Sequence, residues 1–114
     1  MASRSTRSTQ YFGIQITLSA ATPQQLLALL QAVDPNISGS VRQLSIQNDS
    51  TSPAVVLVGD AAISTSRYGY QLNVGSSKTY QGTDTQAVPL GAIFFYSTGA
   101  AILNAELLVE KKLI

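Results

Sequence analysis

Leu44-Ser45-Ile46-Gln47-Asn48-Asp49-Ser50-Thr51-Ser52-Pro53-Ala54-Val55-Val56-Leu57-Val58-Gly59-Asp60 contains two β-runs divided by turn chemistry. Leu44 and Ile46 alternate with polar neighbours, whereas Ala54 to Val58 is a continuous apolar run rich in β-branched residues. The loop from Asn48 to Pro53 is made almost wholly of turn formers, so the two runs predict a hairpin that ends at Gly59-Asp60. Toward the carboxyl end the pattern repeats. Ala61 to Ser64 continues beyond a bulge at Gly59, and Tyr70, Leu72 and Val74 alternate up to Gly75-Ser76-Ser77. Lys78-Thr79-Tyr80 then leads away as the second arm of another hairpin. After the polar stretch Gln81 to Gln86, Ala92 to Tyr96 turns at Ser97-Thr98-Gly99 into a last strand, Ile102 to Val109. Its Leu103, Ala105, Leu107 and Val109 should face inward, with Glu106 and Glu110 outward. Short β-runs at this spacing predict a sandwich or barrel, not βαβ units.

Toward the amino end, Phe12, Ile14, Ile16 and Leu18 alternate with Tyr11, Gly13, Gln15 and Thr17, the period of a half-buried strand. Thr22-Pro23-Gln24-Gln25 carries an N-cap, a first-turn proline and a capping-box glutamine, which predicts a helix over about 23–33. Leu26, Leu29, Leu30 and Val33 would share its buried face, and Asp34-Pro35-Asn36 stops it. Such a helix covers an open end or edge of a β-structure. Residues 1–10 hold no apolar side chain beyond Met1 and Ala2, so they are expected to form a flexible arm. The expected fold is therefore all-β: one domain over 11–114, an antiparallel β-sandwich or jelly-roll-like barrel with one short α-helix near the amino terminus.

The 114 residues suffice for one core. Charged residues are only 11% of the chain, against roughly 25% in ordinary soluble proteins. Ser, Thr, Gln and Asn supply the polarity instead, giving a surface that resists association poorly. A net charge of +1 provides no field to gather nucleic acid or anionic lipid, so neither is expected as a partner. No apolar run approaches the roughly 20 residues of a membrane span, and Met-Ala-Ser-Arg-Ser-Thr-Arg lacks the apolar middle of a signal peptide. These features predict a protein made in, and soluble in, the cytoplasm.

The chain has neither His nor Cys, which removes Ser-His-Asp and Cys-His nucleophiles, disulfides and the usual zinc, copper and haem ligands. Asp34, Asp49 and Asp60 sit in turn sequence and Glu106 and Glu110 on a solvent-facing strand side, so a paired-carboxylate mechanism is disfavoured. No glycine-rich phosphate cradle is present, and loops such as Asn48-Asp49-Ser50 or Gly82-Thr83-Asp84 carry one acid each, too little for a strong calcium site. Asn36-Ile37-Ser38 and Asn48-Asp49-Ser50 match the glycosylation pattern, but without a secretory signal they read as chance. No catalytic residue, metal ligand or cofactor is expected. Tyr68, Tyr70, Tyr80 and Tyr96, with Arg67, suit either an aromatic platform for sugar or single strands, or the rim of a protein interface; tyrosine's enrichment at interfaces favours the second.

Leu44-Ser45-Ile46-Gln47-Asn48, Val56-Leu57-Val58-Gly59-Asp60, Tyr70-Gln71-Leu72 before Gly75-Ser76-Ser77, and Ile93-Phe94-Phe95-Tyr96-Ser97-Thr98-Gly99 before Leu103-Asn104-Ala105-Glu106-Leu107 carry a further signal. In this pattern the chain resembles the small β-sandwich cement or decoration proteins of tailed-bacteriophage capsids. Those relatives often have Pro-Gly where this chain has Val74-Gly75, and they generally lack its amino-terminal strand and helix. The resemblance implies a subunit on the capsid exterior that bridges neighbouring major capsid proteins, self-associates as a trimer in preference to a dimer, and performs no catalysis. Capsid contact is expected through Arg4, Arg7 and Thr9 of the arm, and subunit contact through Tyr68, Tyr70 and Tyr96. The alternative is a tail-associated or other virion module that recognises a host carbohydrate through Tyr68 or Tyr70.

Overall fold

A computed structural model of the chain describes the backbone of residues 7–83 and 85–112, and the side chains of residues 11–83 and 85–109. In chain order the elements are β1 (Arg7–Leu18), β2 (Gln24–Gln25), α1 (Leu26–Val33), β3 (Ser40–Val41), β4 (Gln43–Asn48), β5 (Val56–Gly59), β6 (Tyr70–Leu72), β7 (Ser77–Gln81), β8 (Val88–Pro89), a 3-10 turn (Leu90–Ala92), β9 (Phe94–Ser97) and β10 (Ala101–Lys112). The strands form two four-stranded sheets, ordered β1-β10-β4-β7 and β2-β9-β5-β6, and a small pair of β3 with β8. All ladders are antiparallel, as the sequence pattern predicts.

Alternation turns one side of every long strand inward. Ile16, Leu18, Leu44, Ile46, Leu103, Ala105 and Leu107 from the first sheet meet Val56, Val58, Leu72 and Phe95 from the second in a single buried cluster. Phe95 is the largest of its fully buried side chains. Burying a side chain of this kind stabilises by about 1.5–3 kcal/mol, so this shared interior is the main stabilising element of the fold.

Neither expected hairpin forms. β4 pairs with β10 and β7, whereas β5 pairs with β6 and β9, so the loop after Asn48 carries the chain from one sheet to the other. The Gly75-Ser76 turn likewise links β6 of the second sheet to β7 of the first. Val56, Leu57 and Val58 are all buried, which suits an inner strand flanked on both sides better than one arm of a hairpin. Nor does β5 continue past Gly59. The chain turns at Asp60, whose carboxylate accepts from Ala62 N at 3.0 Å and Arg67 Nη2 at 2.9 Å, and Ile63 folds back under the loop to 3% exposure.

Asn48 holds both crossings. Its buried side-chain Nδ2 donates to Ala54 O at 2.8 Å and Leu72 O at 3.0 Å, while its backbone donates to Ser76 O and accepts from Gly75 N. The tight junction at Gly82 closes the far end of β7: an added Cβ would lie 2.8 Å from Gln86 O and 3.0 Å from Arg42 O, so only glycine fits there.

The helix begins later than the sequence suggests. Gln24 and Gln25 pair as a strand with Phe95 and Phe94, so α1 starts at Leu26, and neither Thr22 nor Gln25 makes the predicted cap. Strand pairing has outcompeted the capping box. The first helical N–H, that of Leu26, donates instead to Ile93 O at 2.9 Å, and Gln25 Nε2 donates to Gly91 O at 2.9 Å. The end at Asp34 agrees with the sequence signal: Asp34 N donates to Leu30 O, and Asn36 N donates to the Asp34 carboxylate. Leu26 and Leu30 are fully buried, whereas Val33 is exposed. α1 packs against β1, β2 and the 3-10 turn, closing the side where the outermost strands of the two sheets are β1 and β2. Among the described residues no helix is long and apolar enough to cross a membrane.

Candidate functional site: the free edge and open face of the first sheet

β1 and β10 pair without a break from Arg7↔Lys112 to Leu18↔Ala101. β4 supports β10 only from Leu103 to Leu108, so beyond Tyr11↔Leu108 the ladder continues as a two-stranded ribbon of Arg7–Gln10 and Val109–Lys112. For Arg7 to Gln10 this departs from the expectation of a flexible arm over residues 1–10; residues 1–6 lie outside the described residues. Backbone pairing requires a partner strand rather than apolar side chains, and β10 supplies one. Arg7 lies opposite Lys112 and Thr9 opposite Glu110, while Arg4 lies outside the described residues.

On its other side β1 has no strand partner among the described residues. From Ser8 to Leu18 it contains no charge and no proline, and its register shows no bulge. Charge, proline and bulges are among the usual means of blunting an edge strand, and β1 lacks all three; helix cover is another, and α1 packs against β1.

The outward face of the same sheet is polar and nearly uncharged. Register places Gln15, Asn104, Gln47 and Ser77 in one row across the four strands, Gly13, Glu106, Ser45 and Thr79 in the next, and Tyr11, Leu108, Gln43 and Gln81 in a third. Gln15 Nε2 donates to Asn104 Oδ1 at 3.0 Å; Asn104 Nδ2 donates to Gln47 Oε1 at 3.3 Å and to Asp49 Oδ2 at 2.8 Å. Hydrogen bonds from the Thr51 hydroxyl, then Asn104, then the Thr51 backbone lower the Asp49 carboxyl to about 2. Ser45 and Thr79 hydroxyls bond at 3.2 Å. Between these rows lies a depression of about 530 Å³, lined by Gly13, Gln15, Gln47, Asn104 and Glu106 among others.

The tyrosines singled out from the sequence do not share a face. Tyr70 stands opposite Val58 and so on the same side as Phe95, whereas Tyr96, the next residue after Phe95, points to the other side of the second sheet. Tyr70 instead faces Lys78, whose Nζ lies 4.5 Å from the Tyr70 ring centre and 5.0 Å from that of Tyr80. This clasp joins β6 to β7 across the side of the molecule opposite α1. Burial, and secondarily Tyr70, raises the Tyr80 phenol above its ordinary value. Tyr68 is exposed beside Asp60 and Arg67, which form an ion pair at 2.9 Å on the surface.

The sequence reading missed the face around Gly13, although a glycine inside an alternating run is a visible signal. Among the described residues, no three of His, Cys, Asp and Glu gather as a metal-binding group. Comparison with known proteins finds no matching family model, no matching curated protein and no matching solved structure.

Proposed function

We propose that this chain is a structural subunit of a tailed-bacteriophage particle, a capsid cement or decoration protein that joins neighbours and performs no catalysis. The observation that carries this reading is the order of the strands. Among the eight strands of the two sheets, every chain connection except β5 to β6 passes from one sheet to the other. The orders β1-β10-β4-β7 and β2-β9-β5-β6 support reading the fold as a jelly roll, an architecture that recurs in viral capsid and lectin domains. A fold alone assigns no function, so the reading is also supported by the edge of β1, which pairs with no further strand among the described residues.

A long edge without charge, proline or bulge is suited, beyond the part that α1 packs against, to taking up a strand from a neighbour, which adds main-chain hydrogen bonds without chemistry. The ribbon beyond Tyr11 points the same way, because an isolated two-stranded pair is marginal in water and gains from a partner. On this reading β1 receives a segment of the major capsid protein, Arg4, Arg7 and Thr9 contact the capsid exterior, and subunits self-associate as trimers. Tyr68, Tyr70 and Tyr96 stay the residues proposed for subunit contact; Tyr70 is exposed although Lys78 lies over its ring.

Co-sedimentation with capsids of the phage that carries this chain tests the reading. Wild type should pellet at saturating stoichiometry and raise the temperature of capsid disruption. Thr17→Pro, which places an imino ring on the edge strand outside the open-face depression, and Arg4→Ala with Arg7→Ala should each weaken both effects. Wild-type protein that neither pellets nor stabilises would overturn the assignment.

A further inference from the structure

Gly13 has no structural reason to be glycine. It sits inside a strand, where glycine weakens pairing and usually marks a bulge, a strained angle or the close approach of a second molecule. The β1–β10 register is unbroken, so there is no bulge. Among the described glycines only Gly75 has positive φ, and a Cβ added at Gly13 meets nothing within 4 Å. What remains is close approach from outside, onto the open face described above.

The groups around Gly13 specify the chemistry of the visitor. Asn104 is held on three sides, by Gln15, Gln47 and Asp49, so the amide row is fixed in advance. Among the described residues Gln47 Nε2 and the Glu106 carboxylate have no hydrogen-bond partner, and Gln15 keeps its carbonyl oxygen and one N–H unused. These donors and acceptors converge on one depression of about 530 Å³, within the range of small-molecule sites of roughly 300–1,000 Å³. Two residues along the strand on the same side stands Tyr11, 67% exposed. No cation lines the depression, which disfavours phosphate and other anions; one carboxylate disfavours a metal ion. A peptide strand has nothing to pair with there, because backbone groups in the middle of a sheet are already bonded to their neighbours.

We propose that the outer face of the first sheet is a saccharide-binding site, with Gly13 as its floor, Gln15, Gln47 and Glu106 bonding ring hydroxyls, and Tyr11 stacking on the apolar face of a sugar ring. Each hydroxyl both donates and accepts, and this mixture of amides with one carboxylate answers both needs. The site lies on the face of the sheet, separate from the β1 edge used in assembly, so it stands or falls independently of the capsid reading.

The test uses the full chain. Wild type is screened on a broad glycan array, and the best binders, as free oligosaccharides, are titrated against ¹⁵N-labelled protein. The site predicts saturable shifts at the Gly13 backbone amide and the Gln15, Gln47 and Asn104 side-chain amides. Gly13→Val should weaken binding by about tenfold or more while leaving the melting temperature unchanged or higher, since a Cβ added there meets nothing within 4 Å and valine favours strands. Tyr11→Ala and Gln47→Leu should weaken it as well. Silence across the array, shifts confined to Tyr68 and Tyr70, or a Gly13→Val variant that binds as tightly as wild type would each overturn the proposal. A response of the same amides to inorganic phosphate but to no sugar would overturn it too.

Discussion

Asn48 donates a hydrogen bond from its buried side-chain amide to the carbonyl of Leu72, 3.0 Å away, linking the end of a strand in one sheet to the end of a strand in the other. The same nitrogen reaches Ala54 O, so one side chain fixes both inter-sheet crossings. Asn48→Ala removes both bonds and should cost about 2–3 kcal/mol by urea denaturation. Asn48→Asp, which loses the donors and adds a buried charge, should cost more. A loss well below that range in the alanine variant would mean that the two carbonyls are served equally well by water.

Two glycines should respond in opposite directions. At Gly82 an added methyl group meets the backbone oxygens of Gln86 and Arg42, so Gly82→Ala should destabilise by about 1–3 kcal/mol. At Gly13 it meets open space, and Gly13→Ala should stabilise by roughly 0.5 kcal/mol through the unfolded chain. Thermal melts of the two variants decide the matter, and a destabilised Gly13→Ala would reveal a structural constraint on that strand.

Lys78 sits over two rings, and the cation is attracted by the negative face of each. Lys78→Ala should lower stability by about 1 kcal/mol, and a double-mutant cycle with Tyr70→Ala should return a coupling of about 0.5 kcal/mol. Strict additivity would show that the clasp contributes nothing beyond the packing of its parts.

Asp49 is held at about 2, below its ordinary value of 3.8. A folded carboxyl that resists protonation contributes stability above the unfolded value, and that contribution disappears as pH falls toward 2. Asp60 is shifted in the same direction by Arg67 and Ala62. Melting temperature should therefore fall between about pH 4 and pH 2, and Asp49→Asn should flatten part of that slope. An unchanged slope in Asp49→Asn would remove Asp49 from the acid response.

Periodicity made the inward faces legible: Ile16 and Leu18, and Leu103, Ala105 and Leu107, point where alternation says they should. What period two does not encode is the partner strand. Leu44–Ile46 and Val56–Val58 look like neighbours along the chain yet belong to different sheets, because that choice depends on Asn48 reaching the carbonyls of both Ala54 and Leu72. The helix start was misread for a similar reason. Thr22 to Gln25 has good local capping chemistry, but Phe94 and Phe95 offer Gln24 and Gln25 a strand partner. At the candidate site the tyrosines drew attention by residue type, while the row Gln15–Asn104–Gln47 becomes visible only when three distant segments are placed in register.

The pairing of β1 with β10 also bears on the order of events during synthesis. Tyr11 to Leu18 leaves the ribosome long before residues 101–112, and β4 too awaits β10, its neighbour on that side. Until then an uncharged, β-prone segment has both edges open in a crowded cell. Folding dominated by such distant contacts is slow, on the order of milliseconds to seconds in small β-domains, so the yield of soluble protein should depend on how quickly translation reaches the last strand and on whether chaperones cover the first.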